Sequence, residues 1–516
     1  DLTDSCKMIR RAIPRTSALG MLAATRFTAT RAMATTNYRS TRGGQQGLTF
    51  EQAVMQGLAT DRGLLVPENL PQFPAGGVEA FRGLSYEALA LEIMSLYIGP
   101  EDIPKAELKD IIDRSYGTFR DRDVTPVVPL GVDGLHVLEL FHGPTFAFKD
   151  VALQYLGNTF EHLLKKTPGS SITVVGATSG DTGSSAIYGL RGKKGVECFI
   201  MFPDGRTSMT QRLQMISVTD PNIHNIALDG NFDDCQAHVK SLFNNPAFRT
   251  HHRLAAVNSI NWARILAQIV YYVHAYLKVT EAPAAGAPAP KVSFSVPTGN
   301  FGDILAGFYA KQMGLPVDRL IVATNSNDIL HRYFSAGDYS SSGVSETVTP
   351  SMDIAVSSNF ERFLFHMSGN DSALMAKLMG ELESSGTLKP TAEMLSNSRG
   401  HMDSARASDA QVLSTMKEVY EASGYVLDPH SAVGVAAARQ LGSTPGVPMV
   451  CLACAHWAKF PDALTQALGE KAMGGLTVPE PLASLHTLPT RVKPLPNSLP
   501  TVQAFIEETC AARSTA

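Results

Sequence analysis

Ser293-Phe-Ser-Val-Pro-Thr-Gly-Asn-Phe-Gly-Asp303 runs from an apolar segment into a glycine-punctuated turn, and a helical pattern follows from Asp303 to Met313. Ser293 to Val296 predicts a strand, and Gly314 fits the stop of the helix. Free N–H groups in such a turn, together with the helix N-terminus, suit a phosphate, and glycine lets the backbone approach its oxygens. Taken alone, a tight turn with nothing bound has the same pattern. The rhythm recurs on either side. Ser171 to Val175 leads into Gly176-Ala-Thr-Ser-Gly-Asp-Thr-Gly183 and a helical stretch to Leu190, and Glu197–Phe202, Arg319–Thr324 and Met449–Ala453 are further strand patterns. Strands alternating with helices from about residue 126 predict a parallel α/β architecture.

The turn at Gly176–Gly183 has a misleading twin, the Thr-Gly-x-x-x-Gly-x-Gly turn of short-chain dehydrogenases. Here the last gap is one residue longer, the turn lies in mid-chain, and none of the 14 tyrosines has a lysine four positions on. No Gly-x-x-x-x-Gly-Lys-Ser/Thr loop occurs either. What remains is a turn of hydroxyls and N–H groups suited to a carboxylate.

Phe141-His-Gly-Pro-Thr-Phe-Ala-Phe-Lys-Asp150 supplies the reactive candidate. Flanking aromatics at Phe146 and Phe148 favour burial of Lys149, and burial lowers an ammonium's pKa. A desolvated lysine is a nucleophilic amine of the kind that forms a Schiff base with a carbonyl cofactor. An ordinary lysine lays its stem across such rings and keeps its charge in water.

Composition bounds the rest. A hydrophobic content of 44% and a charged content of 18% fit a soluble globular chain, and a net charge of −4 gives no reason to expect nucleic acid or an anionic membrane as partner. No run of 18 apolar residues occurs; Ile265–Val279, interrupted by His274 and Lys278, reads as a core helix. Six cysteines with a single Cys-x-x-Cys pair, Cys451 and Cys454, make neither a disulfide framework nor a zinc site, so no metal is expected. From Met8 to Phe50 there is no acidic residue, while arginine recurs among Ser, Thr and Ala. That composition marks residues 1–36 as a transit peptide and predicts a plastid or mitochondrial address, or a cytoplasmic one if translation starts at Met33. Residues 37–125 are expected to form a mostly helical N-terminal domain. Residues 126–475 are expected to form the catalytic domain, with a linker at 281–290, and residues 476–516 a C-terminal tail. Gly337–Pro350, rich in Ser and Gly, is expected to be a surface loop.

Several stretches in sequence order carry a resemblance. They are Tyr38-Arg-Ser-Thr-Arg-Gly43, Gly57–Pro67, Phe141–Asp150, Gly176–Gly183, Val296–Asp303, Ser358-Asn-Phe-Glu-Arg362 and Ala455-His-Trp-Ala-Lys-Phe-Pro461. Together they resemble threonine synthase in its long fungal and bacterial form. The resemblance implies the tryptophan-synthase-β-like fold type II of pyridoxal-phosphate enzymes, with two parallel-sheet subdomains. It implies a Schiff base between Lys149 and pyridoxal 5'-phosphate, and a cofactor-phosphate loop at Gly299, Asn300, Phe301, Gly302 and Asp303. It also implies a substrate turn at Thr178, Ser179, Asp181 and Thr182, and Arg362 on the substrate's phosphate. The implied reaction turns O-phospho-L-homoserine and water into L-threonine and phosphate, in a monomer or homodimer. The family's usual Thr facing the pyridine nitrogen is Cys454 here, a weaker hydrogen-bond partner, and Trp457 replaces a proline. Two other outcomes stay open: a threonine-synthase-like phospho-lyase or serine/threonine dehydratase giving a 2-keto acid, and a binding protein that has lost catalysis.

Overall fold

The structure, a computed structural model, describes residues 36–178, 180–284 and 286–514; the transit-peptide expectation lies outside them. Two sheets carry the architecture. A six-stranded sheet has the spatial order Asp403–Arg406, Val317–Thr324, Val292–Pro297, Met449–Ala453, Leu135–Glu139, Val127–Pro129. Its neighbours are parallel except for the last edge pair, which is antiparallel. A five-stranded, fully parallel sheet has the order Lys493–Pro496, Ile223–Asp229, Val196–Pro203, Ile172–Ala177, Leu254–Ala255. Val196–Pro203 is buried along nearly its whole length, as expected of a parallel strand covered on both faces. The strand and helix patterns read around Gly176–Gly183 and Pro297–Gly302 form where expected, within a residue or two.

The helix Trp262–Val279 is the structural axis, buried continuously from Trp262 to Tyr276. Asn261 caps it by accepting from Ala263 N, and it packs against the helices Lys149–Lys165, Gly302–Gln312 and Tyr86–Met94. The N-terminal region is joined to this axis through polar as well as apolar contacts. Tyr38, in a strand antiparallel to Leu65–Pro67, accepts from Trp262 Nε1 at 3.0 Å and donates to the Tyr97 carbonyl at 3.1 Å. One apolar cluster therefore runs from Tyr38 through the central helix to Leu452.

Two parts differ from a plain reading of the sequence. Within Gly337–Pro350, Tyr339–Ser340 pairs with Thr387–Leu388, although residues 341–345 are exposed. Residues beyond 475 build an edge of the five-stranded sheet, Lys493–Pro496, and a helix, Leu499–Ser514, whose Val502 and Ile506 are fully buried. Pro494 and Pro496 fit that place, because a missing N–H is tolerated at a sheet edge. Among the described residues, no helix is long and apolar enough to cross a membrane.

The helices that begin at Lys149 and at Asp181 touch backbone to backbone. A Cβ on Gly157 would lie 2.0 Å from the Gly189 carbonyl oxygen, and one on Gly189 would lie 2.4 Å from that of Leu153. This contact sets the spacing of the two helix starts that face the site. Gly189→Ala is expected to lower stability by about 1–3 kcal/mol through overpacking. Denaturant titration measures it, and an unchanged midpoint would show that the helices have room to part.

Candidate active site

Lys149 is placed by a short backbone ladder. Phe148 N donates to the Cys454 carbonyl at 2.7 Å and His456 N to the Phe146 carbonyl at 3.0 Å, with Ala147 bridged to Ala455. Phe146 adopts φ +59°, a left-handed turn that such a ring takes only when its surroundings hold it there. The holding groups are nearby. Asp150, fully buried, accepts from Thr145 N and Thr145 Oγ1, both at 2.7 Å, and the Arg120 guanidinium lies 3.7 Å from the centre of the Phe146 ring. Lys149 then opens the helix Lys149–Lys165 with 9% of its surface exposed and Nζ 5.1 Å from the Phe148 ring centroid. Burial pushes its pKa down, and Asp181 opposes that only in part. The amine is thus biased toward its neutral, nucleophilic form.

Asp181 faces it from the start of the helix Asp181–Leu190. Thr178 Oγ1 accepts from Gly180 N at 2.9 Å and Gly183 N at 2.8 Å, which folds the turn over that helix start. Asp181 Oδ1 is 2.7 Å from Lys459 Nζ and accepts from Gln211 Nε2 at 2.9 Å. Burial alone would raise the Asp181 pKa; Lys459 and Lys149 outweigh it and hold the carboxyl well below the usual range. Lys459, itself fully buried, also donates to the Thr145 carbonyl at 2.9 Å.

The third wall is the turn after Val292–Pro297. The N–H groups of Gly299, Asn300, Phe301 and Gly302 find no acceptor among the described residues, and Phe301 takes φ +62° just before the helix Gly302–Gln312. Four free donors in a turn at a helix start are what an anion cradle requires. The carbonyls on its far side are tied down: Ser357 Oγ donates to Gly299 O at 2.7 Å, and Asn359 donates to Asn300 O through N at 3.1 Å and Nδ2 at 3.0 Å. Asp303 lies behind the cradle. Tyr271 and Tyr272 donate to its Oδ1, its buried Oδ2 has no partner among the described residues, and burial pushes its carboxyl up to about 6.

These walls enclose a cavity of about 270 Å³. Lys149, Thr178, Asp181, Thr182, Gly299, Asn300, Phe301, Gly302, Asp303 and Cys454 all line it. All but Lys149, which opens a helix ten residues after the strand Leu135–Glu139, sit just beyond the carboxyl end of a strand, where open α/β sheets bind ligands. Ser179 lies outside the described residues. The Cys454 thiol is kept protonated by burial, with Asp428 adding to the effect, and Cys454 N donates to Ser431 Oγ at 2.9 Å.

Arg362 departs from the expectation that it meets a substrate phosphate. It is fully buried and does not line the cavity. Its Nε and Nη2 donate to Leu65 O at 3.0 and 2.8 Å, Nη2 to Ile260 O at 2.7 Å, and Nη1 to Asn359 Oδ1 at 2.6 Å. It therefore acts through Asn359, which holds the Asn300 carbonyl of the anion cradle.

The guanidinium that does reach the cavity is that of Arg264. It is buried, donates through Nη1 to Val257 O at 3.0 Å, leaves Nε without a partner, and has its pKa pushed down to about 10 by burial. Asn258 and Ser259 line the wall beside it. The clue in the sequence is an arginine in the first turn of a mostly apolar core helix. His430 also lines the cavity; its Nε2 accepts from Ser351 N at 3.2 Å while Nδ1 faces Asp428 Oδ1 at 3.0 Å.

Comparison with known proteins bears on the whole chain. The family model "Threonine synthase N terminus" matches residues 37–116, "Pyridoxal-phosphate dependent enzyme" 122–455, and "Threonine synthase, C-terminal" 431–506. A threonine synthase of Schizosaccharomyces pombe is 49% identical over 84% of this chain and 89% of its own length. One of Pseudomonas aeruginosa is 48% identical over 91% of this chain and 98% of its own. The chain belongs to the threonine synthase family. The crystal structure of pyridoxal-phosphate-bound threonine synthase from Brucella melitensis superimposes with a TM-score of 0.86 at 45% identity, covering 92% of this chain and 99% of that one.

The protein is a pyridoxal-phosphate-dependent lyase of fold type II. Its cavity fits that cofactor: an amine of lowered pKa for the carbonyl and an unfilled N–H cradle for the phosphate. In this threonine synthase family member the ion pair of Lys459 with Asp181 is what faces the amine.

Lys459→Met strands the Asp181 charge and is expected to cost about 3–5 kcal/mol at neutral pH. Asp181 is held below its unfolded value, so its stabilisation is present above that value and lost as pH falls through the lower native one. Without Lys459 the Asp181 carboxyl titrates higher in the variant than in the parent, so the deficit should narrow as pH falls through the variant's value and go on narrowing toward the parent's lower one. Denaturation across pH checks both, and a deficit independent of pH would mean that Asp181 is not the group left stranded.

Proposed function

We propose that the protein converts O-phospho-L-homoserine and water into L-threonine and phosphate. One observation carries the reading: a single cavity is lined by the Lys149 amine, by the glycine turn Gly299–Gly302 and by the Arg264 guanidinium. The cofactor's phosphate takes the cradle at Gly299–Gly302. Arg264, with Asn258 and Ser259, is then left for a phosphate on the substrate itself, and the turn of Thr178 and Thr182 for its carboxylate. An amino acid with a phosphate at one end and a carboxylate at the other satisfies both.

Bound pyridoxal phosphate supplies an electron sink beside the substrate's α carbon. The chain supplies position and proton transfer. Lys149 Nζ takes protons from the α and β carbons. The phosphate departs from the γ carbon toward the Arg264 guanidinium, where a charge-assisted contact is strong. Water adds its hydroxyl at the β carbon, the γ carbon gains the proton that the β carbon lost, the α carbon regains its own proton, and the remaining proton of water leaves with the phosphate. Asp181, fixed by Lys459 and Gln211, keeps the Lys149 ammonium within reach of the reacting carbons after each transfer.

Holoenzyme incubated with O-phospho-L-homoserine is expected to yield threonine and phosphate in equal amounts, and Lys149→Ala neither. Phosphate accompanied by 2-ketobutyrate would move the protein to the phospho-lyases. Arg264→Met is expected to lower kcat/KM about 100-fold, the loss typical of one buried charge contact, while cofactor absorbance is retained. An unchanged kcat/KM would take the substrate's phosphate away from Arg264.

A further inference from the structure

A second, larger cavity of about 630 Å³ adjoins the active site and shares Ala177, Thr182, Gln236 and Asn258 with it. Its walls are largely apolar, with Val175, Val239 and Phe243 among them, and its charged residues are all cations: Arg62, Lys240, Arg249 and Arg253. Among the described residues, no Asp or Glu lines it. Arg62 is paired with Glu383 at 3.1 Å, whereas Lys240, Arg249 and Arg253 have no ion-pair partner among the described residues and are exposed. Such a concentration of positive charge runs against a chain whose net charge is −4.

We infer that this cavity is an entrance vestibule in which Lys240, Arg249 and Arg253 capture a phosphorylated amino acid and pass it to the lysine-bearing cavity. The inference rests on the substrate reading above. Low-dielectric walls focus the field of charges at a cleft and raise the local concentration of an oppositely charged ligand. The three cations come from consecutive pieces of chain: the helix Phe232–Asn244, the helix Pro246–His251, and the residue before the strand Leu254–Ala255. The first of these helices also supplies Phe232 and Gln236 to the active-site cavity, so one helix borders both spaces. Asn258, exposed and common to both linings, stands at the junction and offers the arriving phosphate its first uncharged donor before Arg264.

The test is the rate at which holoenzyme captures two ligands, followed by stopped-flow absorbance of the cofactor: O-phospho-L-homoserine, a net anion, and L-threonine, net neutral. In the triple variant Lys240→Gln/Arg249→Gln/Arg253→Gln, association of the phosphorylated ligand at low salt is expected to fall about fivefold, the effect of three screened charges near 10 Å. Capture of L-threonine stays as in the parent. In about 1 M salt, where the screening length is about 3 Å, parent and variant converge. Equal capture of the phosphorylated ligand by parent and variant at low salt overturns the inference. So does an equal loss for both ligands, which would mark a structural defect. Product identity is measured separately, so a keto-acid product would refute the proposed reaction and leave the charge-selective capture to decide the vestibule.

Discussion

Lys459 joins the two halves of the site. Its ammonium, wholly out of contact with water, bridges the Thr145 carbonyl on the loop that bears Lys149 and the Asp181 carboxylate on the facing turn. Removing a cation and an anion from water costs several kcal/mol for each, and their attraction offsets this only when the surrounding groups are satisfied. The groups that touch the pair are satisfied here: Gln211 donates to Asp181, Gln214 Nε2 donates to the Thr145 carbonyl at 3.0 Å, and Thr145 Oγ1 lies 2.9 Å from Ser185 Oγ, while the outlying Gln214 Oε1 has no partner among the described residues. A network of this kind tolerates little displacement of any member, because each shift exposes a dry charge. The loop and the turn are therefore held at a fixed separation before any ligand arrives, which is what a site of pre-oriented groups needs.

The same logic explains which parts of the site were legible in the sequence. Lys149 and the two glycine turns announce themselves locally: aromatic neighbours imply burial, and a strand, a glycine turn and a helix start imply N–H groups aimed at an anion. Arg362 misleads for the opposite reason. Its residue type suits phosphate, but its destination depends on Leu65, 297 positions away, and on Ile260, 102 away, and no local pattern encodes those partners. Arg264 was overlooked because the apolar stretch from Ile265 onward reads as core, whereas its side chain turns toward the cavity from the first turn of that helix.

The fold follows the same division. Strands and helices flanking the glycine turns lie close to where periodicity places them, since a parallel strand buried on both faces is a continuous apolar run. The role of the region after residue 475 was not legible. Lys493–Pro496 carries two prolines and looks like a loop, and only the neighbouring strand Ile223–Asp229 makes it a strand. Propensity was overridden there by tertiary pairing, and the prolines are tolerated because nothing further must pair beyond that edge. The helix that follows places Val502 and Ile506 in one apolar cluster with Leu228 and Leu242, and Leu242 belongs to the helix Phe232–Asn244.

That last arrangement bears on how the chain reaches its native state. Lys493 pairs with Ile226, so the sheet edge joins segments 267 residues apart in sequence. During synthesis, the strand Ile223–Asp229 emerges long before the segment that covers it, and its outer edge stays an open template for pairing in the interval. Non-local parallel pairings of this sort form late, after the entropy of closing a long loop has been overcome. The helix that borders both cavities therefore leans on a segment made last, and a chain halted before residue 493 would hold every residue of the site named above without that support.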